Sequence, residues 1–485
     1  VYQNPIDNNG DGFTDLTLQN RLSLFNKIDF LRDDKRIFNL AARYIYEERW
    51  GGEMNWKPSN RGSDLIYAES IHTNRWETFG TYELPVAPDV KFQFSGNGHV
   101  QNSYYGVTPY KADQYIGFGQ LTWNTPVGNK HSLLLGGAYR YTYYDDNTFA
   151  TLSEDGFKNN PSIIHLPGIF IQDEINLNEW QKILLGIRFD YNSIHGNVFS
   201  PRANYKWSSI DKNEIIRISV GNGFRVANVF TEDHAALTGS RSVEFKDDLK
   251  PETSWNVNVN YIKNFIFKQS ILTLDGSFFY TYFSNRILPD YESNPNKIIY
   301  SNLDGTSVSK GISLNVDIMF QNGLSLLAGA TLMDVSVIEK QVKTRQLLTE
   351  RFSSVWSITY RLKPLGLTID YTGNVYGPMR LPLLGPLDPR DQYSQWFSIQ
   401  NIKVTKKIRN IMELYLGVKN LLNFTPPSNS IARAFDPFDK EVQFNNEGQV
   451  IPSSNNPNGL TFDPSYVFTS NQGIRLFLGL NFTIY

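Results

Sequence analysis

The stretch "WNVNVNY" at Trp255 alternates without a break. Trp255, Val257, Val259 and Tyr261 fall on one face of an extended strand and Asn256, Asn258 and Asn260 on the other, the period of two that a strand with one apolar face requires. The pattern recurs. "ILLGIRFDY" sets Ile183, Leu185, Ile187, Phe189 and Tyr191 against Arg188 and Asp190, and "MELYLGVK" sets Met412, Leu414, Leu416 and Val418 against Glu413 and Lys419. Towards the end, "IRLFLGLNFTI" sets Ile474, Leu476, Leu478, Leu480, Phe482 and Ile484 against Arg475, Asn481 and Thr483. These runs reach about ten residues, where strands of globular proteins have about five or six.

About nineteen such segments follow one another, and the connections between them alternate in length. Short ones are "RDDKR" at Arg32, "VAPD" at Val86, "TPVGNK" at Thr125, "NLNEW" at Asn176, "DKNE" at Asp211, "QNG" at Gln321 and "KPLG" at Lys363. Long ones cover residues 144–162, 227–249, 287–305, 380–393 and 425–471. A soluble sandwich or propeller has no reason to keep every second connection short. An outer-membrane barrel does, because its strands cross the hydrocarbon layer between short periplasmic turns and long external loops. Trp50, Trp76, Trp123, Trp180 and Trp207 are expected near segment ends as an interfacial girdle. No stretch approaches 18 consecutive apolar residues, so the chain has no transmembrane helix. The first residues also lack the pattern of a signal peptide.

Across 485 residues no Pro/Gly/Ser-rich linker or charge block divides the chain, so one architecture accounts for all of it. The net charge of −2 gives no reason to expect nucleic acid as a partner. The absence of cysteine removes disulfides and thiolate chemistry.

The segment "DNNGDGFTD" has Asp7, Asn9, Asp11 and Asp15 at the spacing of a calcium loop, with Gly12 for the turn. Leu18 stands where an EF-hand has its bidentate Glu, and Asn-Gly and Asp-Gly are also favoured turn pairs, so a turn without metal is the alternative. Counting back through the connections from a last strand that ends at the periplasmic face places residues 1–16 outside the cell. There a structural calcium ion at Asp7, Asn9, Asp11 and Asp15 is the expectation; no cofactor is otherwise required.

Several motifs occur in order. They are "IFIQDEINLNEWQKILLGIRFDY" with Gly186, Arg188 and Asp190; "FSPRANYKW" with Ser200, Pro201 and Arg202; "NGFRVANVFTED"; "LKPETSWNVNVNY"; "YSNLDGTSVSKGISLNVDI"; and "GVKNLLNF". Together they resemble the barrel of a TonB-dependent outer-membrane receptor of the type common in Bacteroidota. The resemblance implies an all-β transmembrane antiparallel barrel of the 22-stranded type, of which about 19 strands are present here. It implies too that residues 1–485 are the C-terminal part of a longer chain, whose plug domain and first strands precede it.

The implied function is energised import across the bacterial outer membrane of a bulky, scarce solute: a ferric siderophore, haem, cobalamin or an oligosaccharide. The implied partners are the lipid bilayer, the energy-coupling TonB complex acting through the plug, the chelate or oligosaccharide itself, and a surface lipoprotein. Candidate contacts lie in "WGGEMNW", "NSYYGVTPY", "RAFDPFDKEVQF" and "LTFDPSYVF", with Trp50, Trp56, Tyr104, Tyr105, Phe435 and Phe438 able to stack on a planar ligand or sugar. The same rings could instead pack loop on loop. His234 lies between Phe224-Arg225-Val226-Ala227 and Asp247-Asp248-Leu249-Lys250, where haem receptors of this family carry a ligating His, though a solvated loop His reads the same. Arg21, Arg188 and Arg475 are expected to face the lumen and meet plug or water. No nucleophile triad, zinc-type His pair or phosphate-cradling glycine motif is present, so an enzyme is not expected. The alternative is a passive channel or a structural barrel bound to a partner.

Overall fold

Each alternating segment becomes a strand hydrogen-bonded to the next one in the chain. The structure, a computed structural model, describes residues 2–86, 88–153, 157–226, 241–246, 249–290, 293–294, 297–408, 411–446 and 448–483. Among the described residues twenty strands share one antiparallel sheet. Setting aside the four-residue Val342–Arg345, nineteen long strands run in chain order from Leu18–Asp29 to Arg475–Phe482. Register is continuous along most pairs, as from Leu18↔Trp50 to Asp29↔Asn39, with a bulge at Thr253/Ser254. Among the described residues no helix is long and apolar enough to cross a membrane.

Apolar side chains point outward. Leu185, Ile187, Phe189 and Tyr191 are between 41% and 49% exposed, and Leu476, Leu478, Leu480 and Phe482 between 57% and 77%. In water such a belt would cost about 25 cal/mol for every Å² left uncovered, so its solvent is hydrocarbon. The inner face carries the charges. Arg43 meets Glu77 at 2.5 Å, and Arg75 pairs with the same carboxylate. Arg21 and Arg49 flank Glu47 at 3.6 and 3.7 Å, and Lys403 meets Asp370 at 3.2 Å.

The short connections expected from the sequence all fall at one end of the sheet and the long ones at the other. Two connections at the long-loop end are tight, Gly106–Val107 and residues 193–195; the first joins two long strands, Val90–Tyr105 and Thr108–Val127. Trp76 departs from the girdle expectation: it lies mid-strand in Ala68–Glu83, 45% exposed, packed over Gly98 of the next strand.

The family motifs prove to be staples of the wall and its external rim. Arg188 donates twice to Asp190, Nε and Nη2 both at 2.7 Å, and the carboxylate fits because Gly168 opposite it has no side chain. Arg202 lies across Gly186 in the same way. Glu252 accepts from Arg225 at 2.8 Å and from the Ile287 N–H at 3.0 Å. Asn420, at φ 52°, donates to the carbonyls of Phe424 and Gln472 at 2.7 and 3.0 Å.

Above the rim a hairpin, Ile287–Asp290 and Lys297–Asn302, leaves the sheet, and Ser242–Phe245 joins it in parallel. Ile298 and Tyr300 are 0% and 2% exposed, packed with Tyr105, Tyr110 and Tyr144 from strands Val90–Tyr105, Thr108–Val127 and His131–Asp146. Five strands separate His131–Asp146 from the strand that launches the hairpin. The hairpin therefore crosses the mouth and seats on a distant arc of the wall.

Candidate ligand site at the external mouth

The opening loop docks at this same end. The Thr14 N–H donates to the Gly52 carbonyl at 2.8 Å, Phe13 bridges Glu53, and a Cβ on Gly473 would meet Asn8 at 3.4 Å. Asp7 accepts from the Gly10 and Gly12 N–H groups at 2.7 and 2.9 Å, and Asp11 accepts from the Phe13 N–H at 2.8 Å. These are turn contacts of the kind that Asn-Gly and Asp-Gly pairs favour. Burial holds the carboxyls of Asp11 and Asp15 above the usual range, and Asp7 adds repulsion to both. Among the described residues no three acidic or histidine side chains form a metal-holding group.

Phe13 anchors a cluster with Tyr67, Ile431 and Phe462, of which Phe462 is 1% exposed. Its ring stacks on Phe462 at 5.9 Å, and Tyr67 packs on Phe462 at 4.8 Å. The long loop 420–474 is thereby drawn over the first strands. Buried ion pairs stiffen it and tie it to neighbouring loops. Arg433 meets Asp436 at 2.6 Å, Arg390 meets Asp388 at 2.7 Å and lies 4.4 Å from the centre of the Tyr466 ring, and Arg241 meets Asp463 at 2.7 Å.

Beneath this cover lies a cavity of about 520 Å³. Its wall side is made by Arg49, Trp50, Glu69, Gln101, Tyr105 and Tyr110; Phe13, Tyr67, Ile431, Phe462 and Asn471 close it from the loop side. Aromatic faces thus stand beside a few polar groups, the composition of a small-molecule site. Arg49 and Glu69 share the lining, and Arg49 also lies 3.7 Å from Glu47 below it on the same strand. The Tyr67 hydroxyl donates to Glu69 at 3.5 Å, and burial pushes its own pKa up.

Of the residues expected to contact ligand, Trp50 and Tyr105 line the cavity. Trp56, 5% exposed, supports Trp50 with its ring 4.7 Å away, and Tyr104 lies under Arg61 at 4.5 Å. Phe438 packs on Tyr67 at 5.7 Å, whereas Phe435 is 74% exposed. His234 lies outside the described residues. Tyr110 and Phe462 belong to the candidate segments "NSYYGVTPY" and "LTFDPSYVF", whereas Arg49, Glu69, Gln101 and Tyr67 lie outside every segment that the sequence marks. The inward parity of Glu69 and Gln101 at strand ends was the available signal.

Comparison with known proteins agrees with this architecture. Residues 1–421 match the family described as TonB dependent receptor-like, beta-barrel. An iron-regulated outer membrane virulence protein of Vibrio cholerae serotype O1 is 31% identical over 133 residues, 27% of this chain; the match spans 20% of that relative's length. The siderophore receptor PirA from Pseudomonas aeruginosa superposes with a TM-score of 0.60 at 12% identity, covering 84% of this chain and 68% of that one. The FrpB iron transporter from Neisseria meningitidis gives 0.62 at 14% identity, over 84% and 67%. A ferric enterobactin receptor from Pseudomonas aeruginosa gives 0.58 at 14%, over 96% and 80%. With its apolar belt outward, its charged lumen and its capped external mouth, the chain is an outer-membrane barrel belonging to the TonB-dependent receptor β-barrel family.

Proposed function

We propose that this barrel serves TonB-dependent import of a metal chelate of the ferric siderophore kind across the outer membrane. The observation that carries the reading is the aromatic and polar cavity of about 520 Å³ at the external mouth of a barrel of this family. Relatives and structural neighbours described as iron-regulated, siderophore or ferric enterobactin proteins support it. A plug filling the lumen and the Bacteroidota type belong to the same proposal and rest on the motifs of residues 170–424. Capture at the cavity would be followed by energised passage inward. The family and its neighbours are transport receptors, not enzymes.

The test is uptake of ⁵⁵Fe-labelled siderophores by cells expressing the full-length receptor, with and without a protonophore. Uptake abolished by the protonophore supports the proposal. Unchanged uptake would establish a passive channel instead.

The opening loop is part of this reading as a calcium-pinned element. Burial of Asp11 and Asp15, with Asp7 repelling both, supports a cation there. It would draw on Asn9 and on loop carbonyls as well. A calorimetric titration with Ca²⁺ that is lost in Asp11→Asn supports it, and an absence of heat in the parent protein removes it.

A further inference from the structure

The charge around the cavity narrows what it can hold, an inference that rests on the import reading above. The lining contributes one guanidinium, Arg49, and one carboxylate, Glu69; its other polar groups, among them Thr14, Thr17, Gln101 and Asn471, are neutral. Among the described residues the cover above it holds no uncommitted cation. Glu53, Asp436, Asp439 and Asp463 surround the cluster of Phe13, Tyr67 and Phe462, and the cations near them are already paired: Arg433 to Asp436 at 2.6 Å, Arg241 to Asp463 at 2.7 Å and Lys440 to Asp64 at 3.1 Å. Asp439 lies at the centre of this group, where Phe462 donates its N–H to the carboxylate at 2.8 Å. Burial first, then Asp436 and Asp463, raise its pKa to about 6 although Arg433 stands 4.0 Å away.

A polyanionic ligand needs the opposite: convergent Arg or Lys groups that make charge-assisted bonds in place of lost hydration. Without them, bringing several negative charges under this cover meets both desolvation and repulsion. Aromatic faces with neutral amides and hydroxyls suit a ligand that presents apolar ring or chain surface and uncharged hydrogen-bonding groups.

We infer that the cavity selects a chelate without net negative charge, of the ferric trihydroxamate class, over a ferric tris-catecholate. Three hydroxamates, each carrying one negative charge, cancel the charge of Fe³⁺, whereas three doubly ionised catecholates leave a trianion. Selection therefore acts on the charge of the chelate.

The experiment is equilibrium binding to the purified full-length receptor, read by quenching of tryptophan emission. The probes are the ferric complex of a cyclic trihydroxamate and ferric enterobactin. The expected result is at least tenfold tighter binding of the trihydroxamate, together with a Gln101→Arg variant that binds the tris-catecholate at least tenfold more tightly than the parent does. Equal affinities, or a preference for the tris-catecholate in the parent protein, would overturn the inference and leave the import reading in place. Binding of neither probe would overturn both.

Discussion

Arg241 and Asp463 meet at 2.7 Å with their side chains only 2% and 3% exposed, 222 residues apart in the chain. One belongs to the connection after strand Glu214–Arg225, the other to the loop before the last strand, so the pair ties two distant loops together. Removing one partner from such a pair strands a buried charge and costs about 3–5 kcal/mol, whereas replacing both by apolar groups can be nearly neutral. Asp463→Leu is expected to loosen loop 420–474, seen as rapid protease nicking, and Arg241→Met with Asp463→Leu to restore most of the protection. A double variant as labile as the single one would show that the pair does not hold the loop.

The Asp439 carboxyl gives the same loop a pH dependence. Its folded pKa of about 6 lies above the ordinary 3.8, because burial disfavours the charged form. The folded loop thus binds the proton more tightly than the free loop. The stabilisation is complete below pH 3.8 and disappears as pH rises through about 6. Hydrogen exchange in residues 431–463 should therefore slow as pH falls from 7 to 5, after correction for the intrinsic rate. Asp439→Asn should flatten that dependence and stabilise the loop at pH 7 by on the order of 2 kcal/mol. A dependence that survives in Asp439→Asn would assign it to another group.

The two faces of a strand predict opposite tolerances. Ile187 is 49% exposed on the outward face, and arginine near the bilayer midplane costs about 2–4 kcal/mol. Asn258 lies on the face opposite Val257 and Val259, towards the lumen. Ile187→Arg should lower the folded fraction in lipid vesicles, read by heat-modifiable gel mobility, while Asn258→Arg should change it by less than about 1 kcal/mol. Equal effects would invert the assignment of faces.

Gly98 sits directly opposite Trp76 in the adjoining strand, and a Cβ there would lie 2.3 Å from the indole nitrogen. Gly98→Val must displace the indole, at about 1–3 kcal/mol. A blue or red shift of tryptophan emission together with a lower melting temperature is the expected signature. An unchanged spectrum would show that the indole does not cover Gly98.

Much of the wall could be read directly from residue type. Strands such as Gln181–Asn192 and Met412–Lys419 are legible because parity assigns every side chain to lipid or lumen, with no reference to anything distant. The external cover is not local in this sense. Tyr105 lines the cavity as residue type suggests, but its packing with Tyr300, and that of Phe438 on Tyr67, depend on partners that residue type does not name. Those neighbours come from other loops, and no periodicity reports on pairs that far apart. The motifs "GVKNLLNF" and "LKPE" pointed to the family through residues such as Asn420 and Glu252, which fasten loop ends and lie outside the cavity lining.

The hairpin seated on Tyr105, Tyr110 and Tyr144 also bears on the mechanics of the wall. A wide, thin, curved sheet resists flattening weakly, because hydrogen bonds between adjacent strands are soft against bending across them. A chord pinned at both ends, by strands Ser270–Asn285 and Gly305–Phe320 on one arc and by Ile298 and Tyr300 on the other, fixes the diameter along its own line. The turns at the opposite end, such as Gln321–Gly323, are too short to reach across at about 3.5 Å per residue. Lateral pressure from the bilayer will therefore deform the inner rim before the outer one.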